Sequence, residues 1–133
     1  MKTLTILIPF FNEERTITEL VNQLNDLPVG LFADCIFVND GSTDSSVELL
    51  HNALKKVHFQ SQVISKSNGG KSSAIHEATK HIKTSHAVIL DADLELNTND
   101  VCRLWEVVLD GKSDIVFGYR SFVAQSAYTY RYA

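Results

Sequence analysis

The chain has 133 residues, 44% of them hydrophobic and 21% charged, with a formal net charge of -4 and an isoelectric point of about 5.7. That length supports one domain with a real core and is short for two, and the acidic balance excludes a global basic field that would draw the chain to nucleic acid. Cys35 and Cys102 are far apart, with no CxxC and no histidine at ligand spacing, so a reducing, cytoplasmic setting is expected.

The opening MKTLTILIPFF imitates a signal peptide, but Pro9 interrupts it, Asn12-Glu13-Glu14-Arg15 follows at once, and no small-residue cleavage site appears. A buried strand over residues 4–8 explains it better. Glu13 and Glu14 then suit a helix N-terminus through the macrodipole, and Ile17, Leu20, Val21 and Leu24 fall on one face of a helix. A second apolar run, 35–38, ends in Asn39-Asp40-Gly41-Ser42-Thr43-Asp44. That segment reads as a turn with an N-cap, and equally as a carboxylate placed to accept from a base N–H or a ribose hydroxyl. Val47, Leu50, Leu54 and Val57 form the next helical face, with Ser42, Thr43 or Asp44 as its cap.

A third run, 62–64, leads into SKSNGGKSS over residues 65–73, close to the glycine-rich loop that cradles nucleotide phosphates. Ser65 stands where that loop needs glycine, and the segment follows the third strand rather than the first. Gly69-Gly70 either makes the turn into a helix with Lys71 solvated, or lets a phosphate approach free N–H groups. Ile75, Ala78 and Ile82 continue as a helix. The fourth run, 87–90, ends in Asp91-Ala92-Asp93. Carboxylates at i and i+2 of an extended end share a side, which suits a hard cation set between them and a diphosphate, with Glu95 as a third oxygen ligand. Aspartates at a solvated strand end or helix cap give the same pattern. Thr98, Asn99 or Asp100 precede a helix carrying Val101, Leu104, Trp105 and Val108, and a fifth run covers 115–117. No segment approaches the roughly 20 apolar residues that span a bilayer.

Five apolar runs alternating with helical segments predict an α/β fold, an open doubly wound parallel sheet with helices on both faces. Ligands of such sheets bind beyond the carboxyl ends of the strands. The polar segments 9–13, 39–44, 66–71, 91–95 and 118–120 are therefore expected on one rim.

ILIPFFNEE, VNDGSTD, NGGKSSA and LDADLE, in this order at successive strand ends, resemble glycosyltransferase family 2 over residues 3–120. These are inverting nucleotide-sugar transferases of the GT-A fold, and the polyprenyl-phosphate (dolichol-phosphate mannose synthase-like) members are the most similar. The resemblance implies a Rossmann-like, mostly parallel sheet forming the nucleotide-sugar-binding half of a GT-A domain over residues 1–133. It places Pro9, Phe11 and Glu13 against the nucleoside and Val38 and Asp40 at base and ribose. Lys71, Asp91 and Ala92 join the nucleotide site, Asp91, Asp93 and Glu95 sit on Mn2+ or Mg2+, and Arg120 lies on the acceptor side as the one catalytic candidate. Asn39, where the family more often has aspartate, leaves uracil and guanine both open. The implied reaction is direct displacement at the anomeric carbon of a nucleoside-diphosphate sugar by a polyprenyl phosphate or a glycan, for cell-envelope polysaccharide. Family catalytic domains continue into an acceptor half, so the expectation is a donor half with an exposed apolar face that favours self-association, from a longer form at the cytoplasmic side of a membrane. Two other readings stay open: a nucleotide-binding module without turnover, and a P-loop-like NTPase.

Overall fold

The computed structural model describes residues 1–118. In chain order the elements are β1 (Leu4–Phe10), α1 (Ile17–Asn25), β2 (Asp34–Asn39), α2 (Ser46–Leu54), β3 (Gln60–Ser65), α3 (Lys71–Thr79), β4 (His86–Ile89) and α4 (Asp100–Leu109). The strands form one sheet of order β3-β2-β1-β4, and every pairing is parallel.

Strand β1 is central, and all seven of its residues are buried, as a strand covered on both faces requires. Its alternation divides the core. Leu4, Ile6, Ile8 and Phe10 point to a cluster with Ile17, Leu20, Val21 and Leu24 of α1, Leu50 of α2, and Val101, Trp105 and Val108 of α4. Leu7, with Ile36 and Val38 of β2, meets Ala74 and Ala78 of α3 on the other face. Right-handed crossovers dictate this division. The chain steps from β1 to β2 to β3 in one direction, which puts α1 and α2 on one face. It then returns past β1 to β4, which puts α3 on the opposite face. The strand order reverses beside β1, and a crevice between the ends of β1 and β4 follows.

The ends of β1 are set by donors and acceptors. The Leu90 N–H donates to the Leu7 carbonyl at 2.9 Å, and the Asp40 N–H donates to that of Phe10 at 2.9 Å. Leu7 and Pro9 therefore face β4 while Phe10 faces β2. Proline lacks the N–H that a further rung toward β4 would use, and the β1–β4 register stops at Leu7↔Ile89. The β1–β2 register runs on to Phe10↔Asn39.

Helix α1 buries the four residues its periodicity predicts. Each such side chain contributes about 1.5–3 kcal/mol over its exposed state. Helix α3 differs from expectation. Its buried face is Ala74 and Ala78, with Ile75 only half-buried, and Ile82 packs on the same core from beyond the end of the helix. Two alanines also let the helix lie close to the sheet.

The fifth run is not a strand: residues 115–117 have no sheet pairing, and the described sheet has four strands. Lys2 Nζ bonds the Val108 carbonyl at 2.8 Å and Asp114 Oδ1 at 3.2 Å, and His86 Nε2 lies 3.5 Å from the same carboxylate. The chain after α4 is thereby held, and Val116 packs on the core while Ile115 and Phe117 are exposed. Among the described residues no helix is long and apolar enough to cross a membrane.

Candidate functional site

The loops after β1 and β2 are laced together. The N–H groups of Asn12, Glu13 and Glu14 donate to Ser42 Oγ (3.0 Å), Ser46 Oγ (2.7 Å) and Asp44 Oδ2 (3.2 Å). In return Asn12 Oδ1 accepts from the N–H groups of Thr43 (2.8 Å) and Asp44 (3.3 Å), and Glu14 Oε2 accepts from that of Ser45 (3.1 Å). Asn12 holds φ 51°, a left-handed conformation that asparagine tolerates better than most side chains. Asp44 also takes the N–H and hydroxyl of Ser46, so it secures the start of α2 from the position before the N-cap, Ser45. Burial works to raise the Asp44 carboxyl, but the bonds from Ser46 and Glu14 prevail and hold it below the usual range. The lacing fixes Phe11 and Glu13 at the rim.

Asp40 organises the glycine loop. It is 4% exposed, and its carboxylate accepts from Lys66 Nζ (3.0 Å), Gly69 N–H (3.0 Å) and Gly70 N–H (2.8 Å). Desolvation pushes its pKa up, and these donors, Lys66 first, outweigh it, so the carboxyl sits below its ordinary value. Gly41 has φ 81°, and a Cβ there would lie 2.7 Å from the Asn68 backbone nitrogen, so the close approach of the two loops requires glycine. Gly70, at φ 95°, turns the chain into α3. The two glycine amides are thus already filled by an internal carboxylate, which argues against a P-loop in which they cradle phosphate. Asn39 is 7% exposed, and its side chain is used inward: Oδ1 accepts from the Ser42 N–H (2.8 Å) and Nδ2 donates to Ser65 Oγ (3.2 Å).

A cleft of about 260 Å3 opens at the reversal point, lined by Pro9, Phe10, Phe11, Glu13, Asp40, Lys71, Ala74, Asp91, Ala92 and Asp93. Residues from the ends of β1, β2 and β4 and the start of α3 meet in it. The segment after β4 is a turn rather than continued strand, and Leu94 has φ 63°, a strained value for a bulky side chain. Thr16 Oγ1 donates to the Ala92 carbonyl at 2.6 Å and ties that turn to α1. Lys71 Nζ lies 2.5 Å from Asp91 Oδ1. Burial raises the Glu13 carboxyl above its ordinary value. A hydrogen bond from Thr16 opposes this, and the charges of Asp93, Asp44 and Asp91 add to it.

The cleft brings together Pro9, Phe11, Glu13, Asp40, Lys71, Asp91, Ala92 and Asp93. Val38 is fully buried against Ala74 and Ala78 of α3 and is not in the cleft lining. Glu95 is exposed and outside the lining, and its N–H donates to Asp93 Oδ1 at 3.1 Å. Arg120 lies outside the described residues. Sequence reasoning missed Lys66 as the partner of Asp40, and missed Asn12 and Thr16 as ties between loops. Only Asn12 carried a signal, being a residue type tolerant of positive φ just past a strand.

No three or more His, Cys, Asp or Glu among the described residues group to hold a metal ion unaided. A magnesium-like ion commonly takes one or two carboxylates and completes its shell with water and a ligand's phosphates. Asp91 and Asp93, hard oxygen donors on one cleft wall, fit that mode. Glu95 does not complete a three-carboxylate group with them.

The model of the family described as Glycosyl transferase family 2 matches residues 5–133. An uncharacterized protein of Methanocaldococcus jannaschii is 31% identical over 87% of the chain and 51% of its own length. The glycosyltransferase AglJ of Haloferax volcanii is 28% identical over 84% of the chain and 34% of its own. The undecaprenyl-phosphate 4-deoxy-4-formamido-L-arabinose transferase of Edwardsiella ictaluri is 31% identical over 80% of the chain and 34% of its own. The chain thus spans about half of the first relative and a third of the other two. Among solved structures, glucosyl-3-phosphoglycerate synthase of Mycobacterium tuberculosis in complex with Mn2+, UDP and glucosyl-3-phosphoglycerate superposes with TM-score 0.69 at 22% identity, covering 81% of this chain and 40% of that one. TarS of S. aureus gives TM-score 0.69 at 23% identity, covering 91% and 39%. At these identities the likeness shows the fold alone, the GT-A arrangement.

Proposed function

The chain belongs to glycosyl transferase family 2, and on that premise we propose that its cleft binds a nucleoside-diphosphate sugar for inverting, divalent-metal-dependent transfer to a polyprenyl phosphate or a glycan. The observation that carries this reading is the convergence of Pro9, Phe11, Glu13, Asp40, Lys71, Asp91 and Asp93 on one cleft at the reversal point of the sheet. Phe11, 45% exposed at the rim, offers an aromatic face for a base. Glu13, whose loop is laced to the one after β2, would accept from a ribose hydroxyl. Lys71 supplies positive charge for a pyrophosphate, and Asp91 and Asp93 would hold Mn2+ or Mg2+. When bound, such an ion neutralises the charge that builds on a leaving nucleoside diphosphate. The rim fixes the donor in one orientation, and orientation supplies much of the rate for an in-line displacement.

A polyprenyl phosphate suits this site as acceptor because it is already anionic and needs no general base, whereas a sugar hydroxyl does. The undecaprenyl-phosphate transferase among the relatives supports that choice. Calorimetric titration with UDP-, GDP- and TDP-sugars, with and without Mn2+, tests the reading. Saturable binding that strengthens with Mn2+ is expected, and absence of binding by all three would overturn it. Nucleotide binding without turnover is the second reading: the described residues that line the cleft are all given to the donor and its metal. It predicts the same titrations with neither transfer nor donor hydrolysis.

A further inference from the structure

Lys71 and Asp91 approach each other from opposite sides of the reversal point. Lys71 is the first residue of α3, on the β3 side, and Asp91 lies just past β4. Their side chains are 57% and 38% exposed, so burial does not force the contact. Lys71 is the one cation among the described residues that line the cleft. The other nearby lysine, Lys66, is committed to Asp40, with 19% and 6% of the two side chains exposed. Asp93, in the same lining, accepts instead from the Glu95 N–H. In this arrangement, then, the group best suited to a pyrophosphate and one of the groups best suited to a metal ion neutralise each other.

Resting on the proposed reading of the cleft as a nucleoside-diphosphate site, we propose that Lys71 and Asp91 form an exchangeable pair that the diphosphate and the divalent ion must divide between them. A diphosphate that draws Lys71 away frees Asp91 for the ion. An ion on Asp91 frees Lys71 for the diphosphate. Each ligand binding alone must break the pair by itself, and each binding second finds it already broken. Coupling of this kind is reciprocal by linkage. For a pair this exposed, the handicap on either ligand alone is about two- to fivefold in affinity.

The test is a double-mutant cycle read by binding, using UDP and GDP as probes in EDTA. Asp91→Asn is expected to tighten metal-free nucleotide binding about two- to fivefold. Asp93→Asn removes the same charge from the same cleft without releasing a lysine, and its gain is expected to be smaller. In a Lys71→Gln background the gain from Asp91→Asn should fall to the smaller one seen for Asp93→Asn. The reciprocal arm measures Mn2+ alone through the paramagnetic resonance of the free ion. Lys71→Gln should tighten Mn2+ binding more when Asp91 is present than when Asp91→Asn is also present. Equal gains from Asp91→Asn and Asp93→Asn, or an Asp91→Asn gain undiminished by Lys71→Gln, overturn the exchange while leaving the nucleotide site standing. Failure of the unmutated chain to bind either nucleotide, with or without Mn2+, overturns the site reading and the exchange with it.

Discussion

Asp40→Ala is the sharpest test of how this site is built. The substitution removes the acceptor of three donors at once: Lys66 Nζ, the Gly69 N–H and the Gly70 N–H. Each buried N–H left without a partner costs about 1–3 kcal/mol. Both glycines are exposed as residues, so water can reach their amides once the loop loosens, which favours the low end. Lys66 keeps the Ser67 carbonyl at 2.7 Å. The sum is about 2–4 kcal/mol, a large part of the roughly 5–15 kcal/mol that holds a domain together. With an m-value near 1.5 kcal/mol/M, the urea midpoint at pH 7 should fall by about 1.3–2.7 M. Asp40→Asn keeps one oxygen and turns an amide N–H toward one donor, so its loss should be about half as large. The pH dependence has a definite sign. The folded-state pKa of Asp40 is depressed, so its stabilisation is present above the unfolded value of about 3.9 and is lost as pH falls through the folded value. The gap between wild type and Asp40→Asn should therefore close in acid. A midpoint for Asp40→Ala within about 0.3 M of wild type at pH 7 would mean that Asp40 does not anchor the loop.

Gly41→Ala should cost about 1–3 kcal/mol by urea unfolding, since it adds a Cβ against Asn68 to the penalty of positive φ. Gly30→Ala, at φ 84° with nothing within 4 Å of the added carbon, should show the backbone penalty alone, about 1 kcal/mol; equal losses at the two sites would deny the loop contact. Glu13→Gln should raise the urea midpoint at pH 7 and leave it unchanged in acid. The raised folded pKa of Glu13 makes its ionisation a cost that sets in as pH rises above the unfolded value, and an unchanged or lowered midpoint at pH 7 would refute this. In thiol titration, Cys102 should react in the native protein. Cys35, fully buried with its pKa pushed up chiefly by burial, should react only on unfolding.

Much of the fold was legible because both faces of the inner strands are covered. Uniformly apolar runs marked β1 and β2, short runs marked the edge strands, and the amphipathic period of α1 marked its buried residues. The missing fifth strand shows the limit. Ile115, Val116 and Phe117 have the composition of a strand, yet pairing is a long-range property and the contacts of Lys2 and His86 with Asp114 hold that segment elsewhere. The rim was legible as positions, because topology alone brings strand ends together. Which polar groups serve one another was not: Asp40, which lines the cleft, also bonds the glycine loop, and the Asn39 side chain bonds Ser42 and Ser65. Those assignments depend on side-chain directions across loops some 30 residues apart, which no local pattern encodes.

Pro9 interrupts the zipping of two strands by an omission. Any other residue there would present an amide hydrogen toward β4, offering the neighbouring segment one more rung and drawing it closer. The mouth of the crevice is thus kept ajar by the backbone itself, independently of how well the surrounding side chains happen to fit. A change at this position should narrow the opening without touching a single charged group in it.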